Sequence, residues 1–440
     1  MRILRTKDRG FQEQFAAVVN RGKEIFEEVE DLVRAILEGV RSRGDEALME
    51  YAKRFDGVDL SPSQLRVSQE EIERATENLP REDLDVLKLA AERIGSFHRR
   101  QLVNSWFDST TDGITLGQMV TPLRRIGAYI PGGENPYPST VLMTLIPAKI
   151  AGVSELIMVS PVYGGKGIKP VLAAAGIAGA TSVFRVGGAQ GVAALAYGTE
   201  SVPKVDKIVG PGNVYVATAK RMVFGEVGID MVAGPSEICV LADGHAAPAS
   251  VAADLLSQGE HDERALLLLI VLSEAYARAV HEEVEMQVKQ LRKREVVERS
   301  LAGHGAIIIA RDESEAIDLI NEVAPEHLEL IVETPWDLLG RVRNAGAIFL
   351  GPYTPETMGD YLAGTNHVLP TGGTSRFSSP LGVHDYLKRT NIISFSREGL
   401  MKFREHVLRM AAMEGLDAHG RAVEVRFPGK KVSMDGQGAD

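Results

Sequence analysis

An α/β fold built around mostly parallel sheets is predicted by three observations on this 440-residue chain. Short apolar runs alternate with helical stretches from about Thr121 onward, several of those runs end in glycine-rich turns, and the runs are apolar at consecutive positions. Strands covered by helices on both faces give unbroken runs of this kind, because neither face meets water. Two sheets of similar layout are expected, since one hydrophobic core does not ordinarily serve a chain this long.

The elements follow in order. The first 110 residues read as helical scaffold: Val29, Leu32, Val33, Ile36 and Val40 recur at helical spacing, Gly44-Asp45 interrupts, and Leu87, Ala90, Ile94 and Phe97 repeat the pattern. Buried strands are expected at 156–159, 183–186, 207–209, 238–241, 267–271, 306–309, 330–332 and 347–350. A last amphipathic helix spans about Glu398 to Glu414, followed by a short apolar-alternating piece and a polar, Gly-rich tail from Pro428 that is expected to be mobile.

Composition narrows the function classes. Lys and Arg number 49 against 60 Asp and Glu, a net charge of −11 with no long basic run, so nucleic acid and anionic membranes are poor partners. Charges at Arg2, Arg5, Lys7, Asp8 and Arg9 leave no stretch of signal-peptide character, and the longest purely apolar run, Ala265 to Leu272, suits a buried strand; a cytoplasmic location is the expectation. The single cysteine, Cys239, excludes intrachain disulfides and any multi-cysteine zinc site, so metal chemistry here would need His, Asp, Glu or Gln.

The polar residues that interrupt the apolar pattern are the candidates for chemistry. Ile130-Pro-Gly-Gly133, Gly187-Gly-Ala-Gln-Gly191 and Gly210-Pro-Gly-Asn-Val-Tyr215 are turns whose backbone amides can approach a phosphate, but none matches the dinucleotide fingerprint, and plain strand-to-helix turns fit them equally well. The stretch from Gly351 to about Ser379 shows no periodicity and holds Asp360, Asn366 and His367; its length favours a functional loop. On the helix around 247–259, Gln258 falls on the apolar face with His261 beside it. Spacing alone favours a capped helix end over a pair of metal ligands.

Glu414 similarly continues the apolar stripe of Leu400, Phe403, Val407 and Met410, where a cation, a ligand or a simple salt bridge would have to meet it. Glu326-His327, in a short connection before a strand, reads either as an acid and base pair or as a solvated turn, with the turn favoured. His98, His245, His281, His304 and His406 read as structural or surface residues.

Taken together these segments resemble the histidinol dehydrogenase family, from about residue 20 to 426. The resemblance is carried by Arg125-Ile-Gly-Ala-Tyr-Ile-Pro-Gly-Gly133, Gly187-Gly-Ala-Gln190, Gly210-Pro-Gly-Asn213, Ala233-Gly-Pro-Ser-Glu237, Leu256-Ser-Gln-Gly-Glu-His261, Ala324-Pro-Glu-His-Leu328, Gly359-Asp360 with Gly364-Thr-Asn-His-Val-Leu-Pro370, and Glu414-Gly-Leu-Asp-Ala-His419. It implies two incomplete Rossmann-like domains of aldehyde-dehydrogenase-like type with small terminal extensions. The implied division is an extension 1–24, a first domain from 25–128 with 239–381 bearing most zinc and acid/base residues, a second, NAD-side domain 129–238, and a C-terminal arm 382–440 that reaches the partner in a homodimer with shared active sites.

The resemblance further implies one zinc ion per subunit held by Gln258, His261, Asp360 and His419, with Glu326 and His327 as the acid/base pair. Ser236, His367 and Glu414 would contact substrate together with the zinc residues and His327, and Tyr129, Gln190 and Asn213 would line the NAD site. Two departures stand out: His384-Asp-Tyr386 where an aromatic residue, Asp and Phe are usual, and Cys239 at an ordinarily aliphatic strand position. The implied reaction is oxidation of L-histidinol through L-histidinaldehyde to L-histidine with NAD, a relative acting on another small hydroxy compound being the alternative. His327 is the expected base for the hydroxyl proton and Glu326 the activator of the water that hydrates the aldehyde. A thiohemiacetal route would instead require Cys239 as nucleophile, and its apolar surroundings, Ile238-Cys-Val-Leu241, speak against it.

Overall fold

The computed structural model describes residues 1–20, 25–110, 112–132, 135–163 and 168–427; Gly133 and the tail from Pro428 lie outside the described residues. Two compact units are present, one formed by Met1–Leu102 with Pro122–Leu387 and the other by Val103–Thr121 with Lys388–Asp440.

The larger unit is built on two six-stranded sheets. Sheet A runs in the order Arg2–Arg5, Gly305–Ile309, Leu266–Val271, Glu237–Ala242, His327–Ile331, Ala347–Leu350, all parallel. Sheet B runs Arg66–Val67, Ser182–Arg185, Glu155–Ser160, Arg125–Tyr129, Lys207–Val209, Gly228–Ile229, parallel except where Arg66–Val67 pairs antiparallel with Ser182–Arg185. Helices cover both faces, so successive residues of one strand enter different cores. Ile238, Val240 and Ala242 pack with Val251 and Leu255 on one side, whereas Cys239 and Leu241 pack with Ile317 and Ile320 on the other. That double burial is the reason these strands are apolar without alternation.

Seven of the eight expected strands agree with the structure to within a residue; the eighth begins three residues early, at His327. Glu326-His327 is therefore not a simple solvated turn. Two further element expectations are corrected. The stretch after Gly351 contains the helix Glu356–Tyr361 and a 3-10 turn at Thr374–Arg376. The piece after Glu414 is the helix Asp417–Glu424.

The grouping of 25–128 with 239–381 also differs from the structure. The helix Ile25–Arg43 buries Val33, Ile36, Leu37 and Val40 in the same core as Ile157, Val159 and Leu195, and the helix Arg81–Arg99 puts Leu87, Ala90 and Ile94 against Val141 and Leu145. The N-terminal scaffold thus packs as an outer layer on the helices that cover the two faces of sheet B. Residues 2–5, expected in an extension, are instead the edge strand of sheet A.

The smaller unit holds a three-stranded sheet in the order Leu387–Phe395, Ile114–Pro122, Trp106–Ser109, and the helices Arg397–Met413 and Asp417–Glu424, which pack on each other. Of the apolar stripe read on the longer helix, Phe403, Val407 and Met410 are exposed in the single chain.

Candidate active site

In a parallel sheet all strands end on one edge, so loops there converge. The larger unit uses this twice: loops beyond the C-terminal ends of sheet B strands face residues at the N-terminal ends of sheet A strands across a cavity of about 460 Å³. From sheet B come Tyr129, Gly132, Gly212 and Asn213; from the sheet A side come Ser236, Gln258, His261, Glu326, His327 and Asp360.

The sheet B wall is set by backbone geometry. Gly210 has φ +108°, and a Cβ there would stand 2.2 Å from the carbonyl oxygen of Tyr129, so only glycine lets these loops approach. Asp230 accepts from the Gly210 amide at 2.7 Å, and Lys220 reaches both Asp230 at 2.5 Å and the Gly210 carbonyl at 2.8 Å from full burial. Asn213 caps the following helix, its Oδ1 accepting from the Val216 amide at 3.2 Å. The Tyr129 hydroxyl accepts from the Gly188 amide at 3.0 Å, and burial pushes its pKa up to about 12. Gln190 is buried on the helix that Gly188 opens and is not among the residues lining the cavity.

The sheet A wall is set by side chains. Ala324, the only described non-glycine residue with positive φ, ends the helix Glu313–Val323 in a left-handed turn and swings Pro325-Glu326-His327 onto the strand edge. His327 is buried, and its Nδ1 lies 2.9 Å from the backbone carbonyl of Glu237. A carbonyl can only accept, so Nδ1 carries the proton and Nε2 keeps a lone pair. Burial lowers the His327 pKa, so the ring is neutral at neutral pH.

Glu326 and Glu237 exchange reciprocal bonds. The Glu237 amide donates to Glu326 Oε2 at 2.8 Å, the Glu326 amide donates to Glu237 Oε2 at 3.2 Å, and the Gly372 amide binds Glu237 Oε1 at 2.8 Å. Burial, then the charge of Glu237, raises the Glu326 pKa well above the ordinary range and so favours its neutral form.

Asp360 is the focus of this wall. Its Oδ1 lies 3.9 Å from His327 Nε2 and from His367 Nδ1, and its Oδ2 lies 3.9 Å from His261 Nε2. His367 is oriented at both nitrogens, by the Asp360 carbonyl at 3.0 Å and the Thr140 hydroxyl at 3.1 Å. Gln258 is 1% exposed on the last turn of its helix, and its Oε1 is buried with no hydrogen-bond partner. A capped helix end would have satisfied that oxygen. An orphaned carbonyl oxygen beside a carboxylate and imidazoles is a donor set that a zinc ion fits, all its members being oxygen or nitrogen ligands.

Single atoms of His261, Glu356 and Asp360 also lie within 4.8 Å of one another. Glu356 and Glu237 are the residues that sequence reasoning missed. Each left a signal: Glu356 stands one helical turn before Asp360, and Glu237 opens an otherwise apolar strand. Glu414 and His419 belong to the smaller unit, where both are exposed. Cys239 is fully buried in a sheet A core and is not among the cavity-lining residues, which removes the thiol route. Among the described residues no helix is long and apolar enough to cross a membrane.

Comparison with known proteins agrees with this geometry. The family model described as histidinol dehydrogenase matches residues 19–427. Histidinol dehydrogenase of Syntrophotalea carbinolica is 54% identical over 97% of this chain and 99% of its own length, and that of Geobacter sulfurreducens is 52% identical over 97% of this chain and all of its own. The crystal structure of histidinol dehydrogenase from Elizabethkingia anophelis superposes with a TM-score of 0.90 at 34% identity, covering 97% of this chain and 98% of that one. The chain belongs to the histidinol dehydrogenase family, NAD-dependent oxidoreductases of the last steps of histidine biosynthesis.

Proposed function

We propose that the cavity carries out both oxidations of L-histidinol, through L-histidinaldehyde to L-histidine, with one zinc ion per subunit held by Gln258, His261, Asp360 and His419. The observation that carries this reading is the orphaned, buried Oε1 of Gln258, a residue that lines the same cavity as a carboxylate with three histidines around it. When bound, zinc would anchor and orient the nitrogens of the substrate, and NAD would accept the hydride.

The chain's own residues supply the proton chemistry. His327, neutral and with its lone pair at Nε2, takes the hydroxyl proton as hydride leaves the alcohol carbon. An aldehyde carbon has no suitable hydride until water adds. Glu326 in its carboxylate form takes a proton from that water; a cation bound in the cavity would stabilise that form against the burial that raises its pKa. Ser236, His367 and Glu414 contact the substrate; Tyr129 and Asn213 lie along the NAD site, and Gln190 is buried on the helix that Gly188 opens. Glu414 and His419 reach the cavity from the partner subunit of a homodimer, a reading supported by the family resemblance and by the exposed stripe on their helix. The enzyme works in the cytoplasm.

Two experiments test this. Chelation is expected to abolish NADH formation from L-histidinol and Zn²⁺ to restore it, with other amino alcohols and diols turned over poorly; full activity in metal-free protein overturns the zinc assignment. Mixing inactive His261→Ala and His419→Ala chains under subunit exchange is expected to recover activity, because one site per mixed dimer is then intact. No recovery despite exchange means that each chain builds its own site.

A further inference from the structure

Behind the sheet A wall, off the cavity surface, stand three more carboxyls, the buried Glu329 and Glu356 and the half-buried Asp254. Each shares an element, and a face of it, with a residue of the wall. Asp254 is one turn before Gln258 on the helix Pro248–Gly259, Glu356 one turn before Asp360 on the helix Glu356–Tyr361, and Glu329 two residues after His327 on the strand His327–Ile331.

Glu356 joins the three elements. Its side-chain Oε2 accepts from the Ser257 hydroxyl at 3.0 Å, next to Gln258 in the chain, and its backbone amide donates to Glu329 Oε1 at 2.7 Å. Ser257 Oγ also lies 2.8 Å from the Asp254 carbonyl, which ties the contact to the helix axis. The remaining oxygen of Glu356 is buried and turned toward Asp360. Asp360 thus has Glu356 close on one side and the histidines on the other.

We infer that Glu356 is a positioning residue for the metal site: it fixes the Gln258 helix, the Asp360 helix and the His327 strand relative to one another, so that ligands from separate elements meet at one point. This rests on the zinc reading. Glu356 is 1% exposed and not among the cavity-lining residues, so it acts through Asp360 and Gln258 rather than as a ligand itself. Removing such outer partners of metal ligands lowers metal affinity about 10- to 100-fold.

The test measures Zn²⁺ affinity by chelator competition on the full-length protein, the absorption spectrum of the Co²⁺-loaded form, and the Tm of the zinc-free form, for the parent, Glu356→Gln, Glu356→Ala and Ser257→Ala. Glu356→Ala is expected to lose about 10- to 100-fold in affinity, while Glu356→Gln, which keeps the length and the oxygen that accepts from Ser257, stays within about threefold with an unchanged cobalt spectrum. Ser257→Ala, which removes one of the hub's bonds, loses about three- to tenfold and carries the test should Glu356→Ala not fold. A lowered Tm with parental zinc affinity in the alanine variants means that the hub is structural only, and overturns the inference. Glu356→Gln losing as much as Glu356→Ala, with a shifted cobalt spectrum, makes Glu356 a ligand and overturns it as well. A parent protein that takes up no zinc overturns the zinc reading, and the positioning role with it.

Discussion

The two walls of the cavity are built from the same kind of sheet and work by different means. On the sheet B side, the cavity is lined by glycine-rich loops and a few neutral side chains, and the charges that brace them, Lys220 and Asp230, are hidden behind the loop. On the sheet A side, histidines and carboxyls stand at the surface itself, with Glu326 and His327 driven toward their neutral forms by burial. A wall of close-approaching glycine loops without charged side chains suits a ligand that binds and leaves unchanged in protonation, as a dinucleotide does. A wall of tuned acids and bases suits the reacting centre.

The largest expected effect therefore lies on the sheet A wall. His327→Asn should lower kcat by about 10²- to 10⁴-fold while leaving the affinity for NAD near parental, since it removes the base and little else. Steady-state kinetics with L-histidinol checks this; an equal change in NAD affinity would erase the distinction between the walls.

Next comes the hidden brace of the other wall. Lys220→Met strands a buried Asp230 and should cost about 3–5 kcal/mol of stability, measured by denaturant unfolding. Replacing both partners, Lys220→Met with Asp230→Leu, should recover part of that loss but not the loop geometry, because the Gly210 amide then loses its acceptor.

Asn213→Ala should act more gently, raising KM for NAD about 3- to 10-fold with kcat largely kept, through loss of a cap and a polar edge on the cavity. A fall in kcat as large as that of His327→Asn would place chemistry on the wrong wall.

The smallest effect concerns pH at the far edge of sheet A. Arg5 and Arg278 hold the Glu274 carboxyl down to about 2. A depressed carboxylate stabilises the fold fully above its ordinary pKa, and that contribution is lost as pH falls from about 4.5 toward 2. The pair is exposed, so salt should weaken it. Between pH 5 and 2 the Tm of Glu274→Gln should converge on that of the parent; a constant gap would show that the ion pair is idle.

Much of this was legible in the residues. Eight of the twelve strands in the two sheets declared themselves, because burial on two faces leaves few polar positions in the run; the strands Arg2–Arg5, Arg66–Val67, Arg125–Tyr129 and Gly228–Ile229 did not. Gln258 was visible as a polar residue on an apolar helix face, yet its role was open, since only a packed neighbourhood shows that its oxygen has no partner. Glu326-His327 read as a turn because Pro325 breaks the apolar run, while the strand in fact begins at His327. The helices of the N-terminal scaffold showed their apolar stripes but not which sheet they cover, as any apolar face fits an apolar stripe until chain length and connection decide.

The chain's own order of residues was enough for the α/β class, the strand positions and the family, because these depend on which residue types follow one another. The distances at which residues 236, 258, 261, 327 and 360 meet around one cavity, and the burial that raises the Glu326 pKa and lowers that of His327, came from the tertiary structure. Distances across the cavity depend on where the edges of two sheets meet, and a pKa depends on how much water the surrounding chain excludes; neither is written in the local sequence.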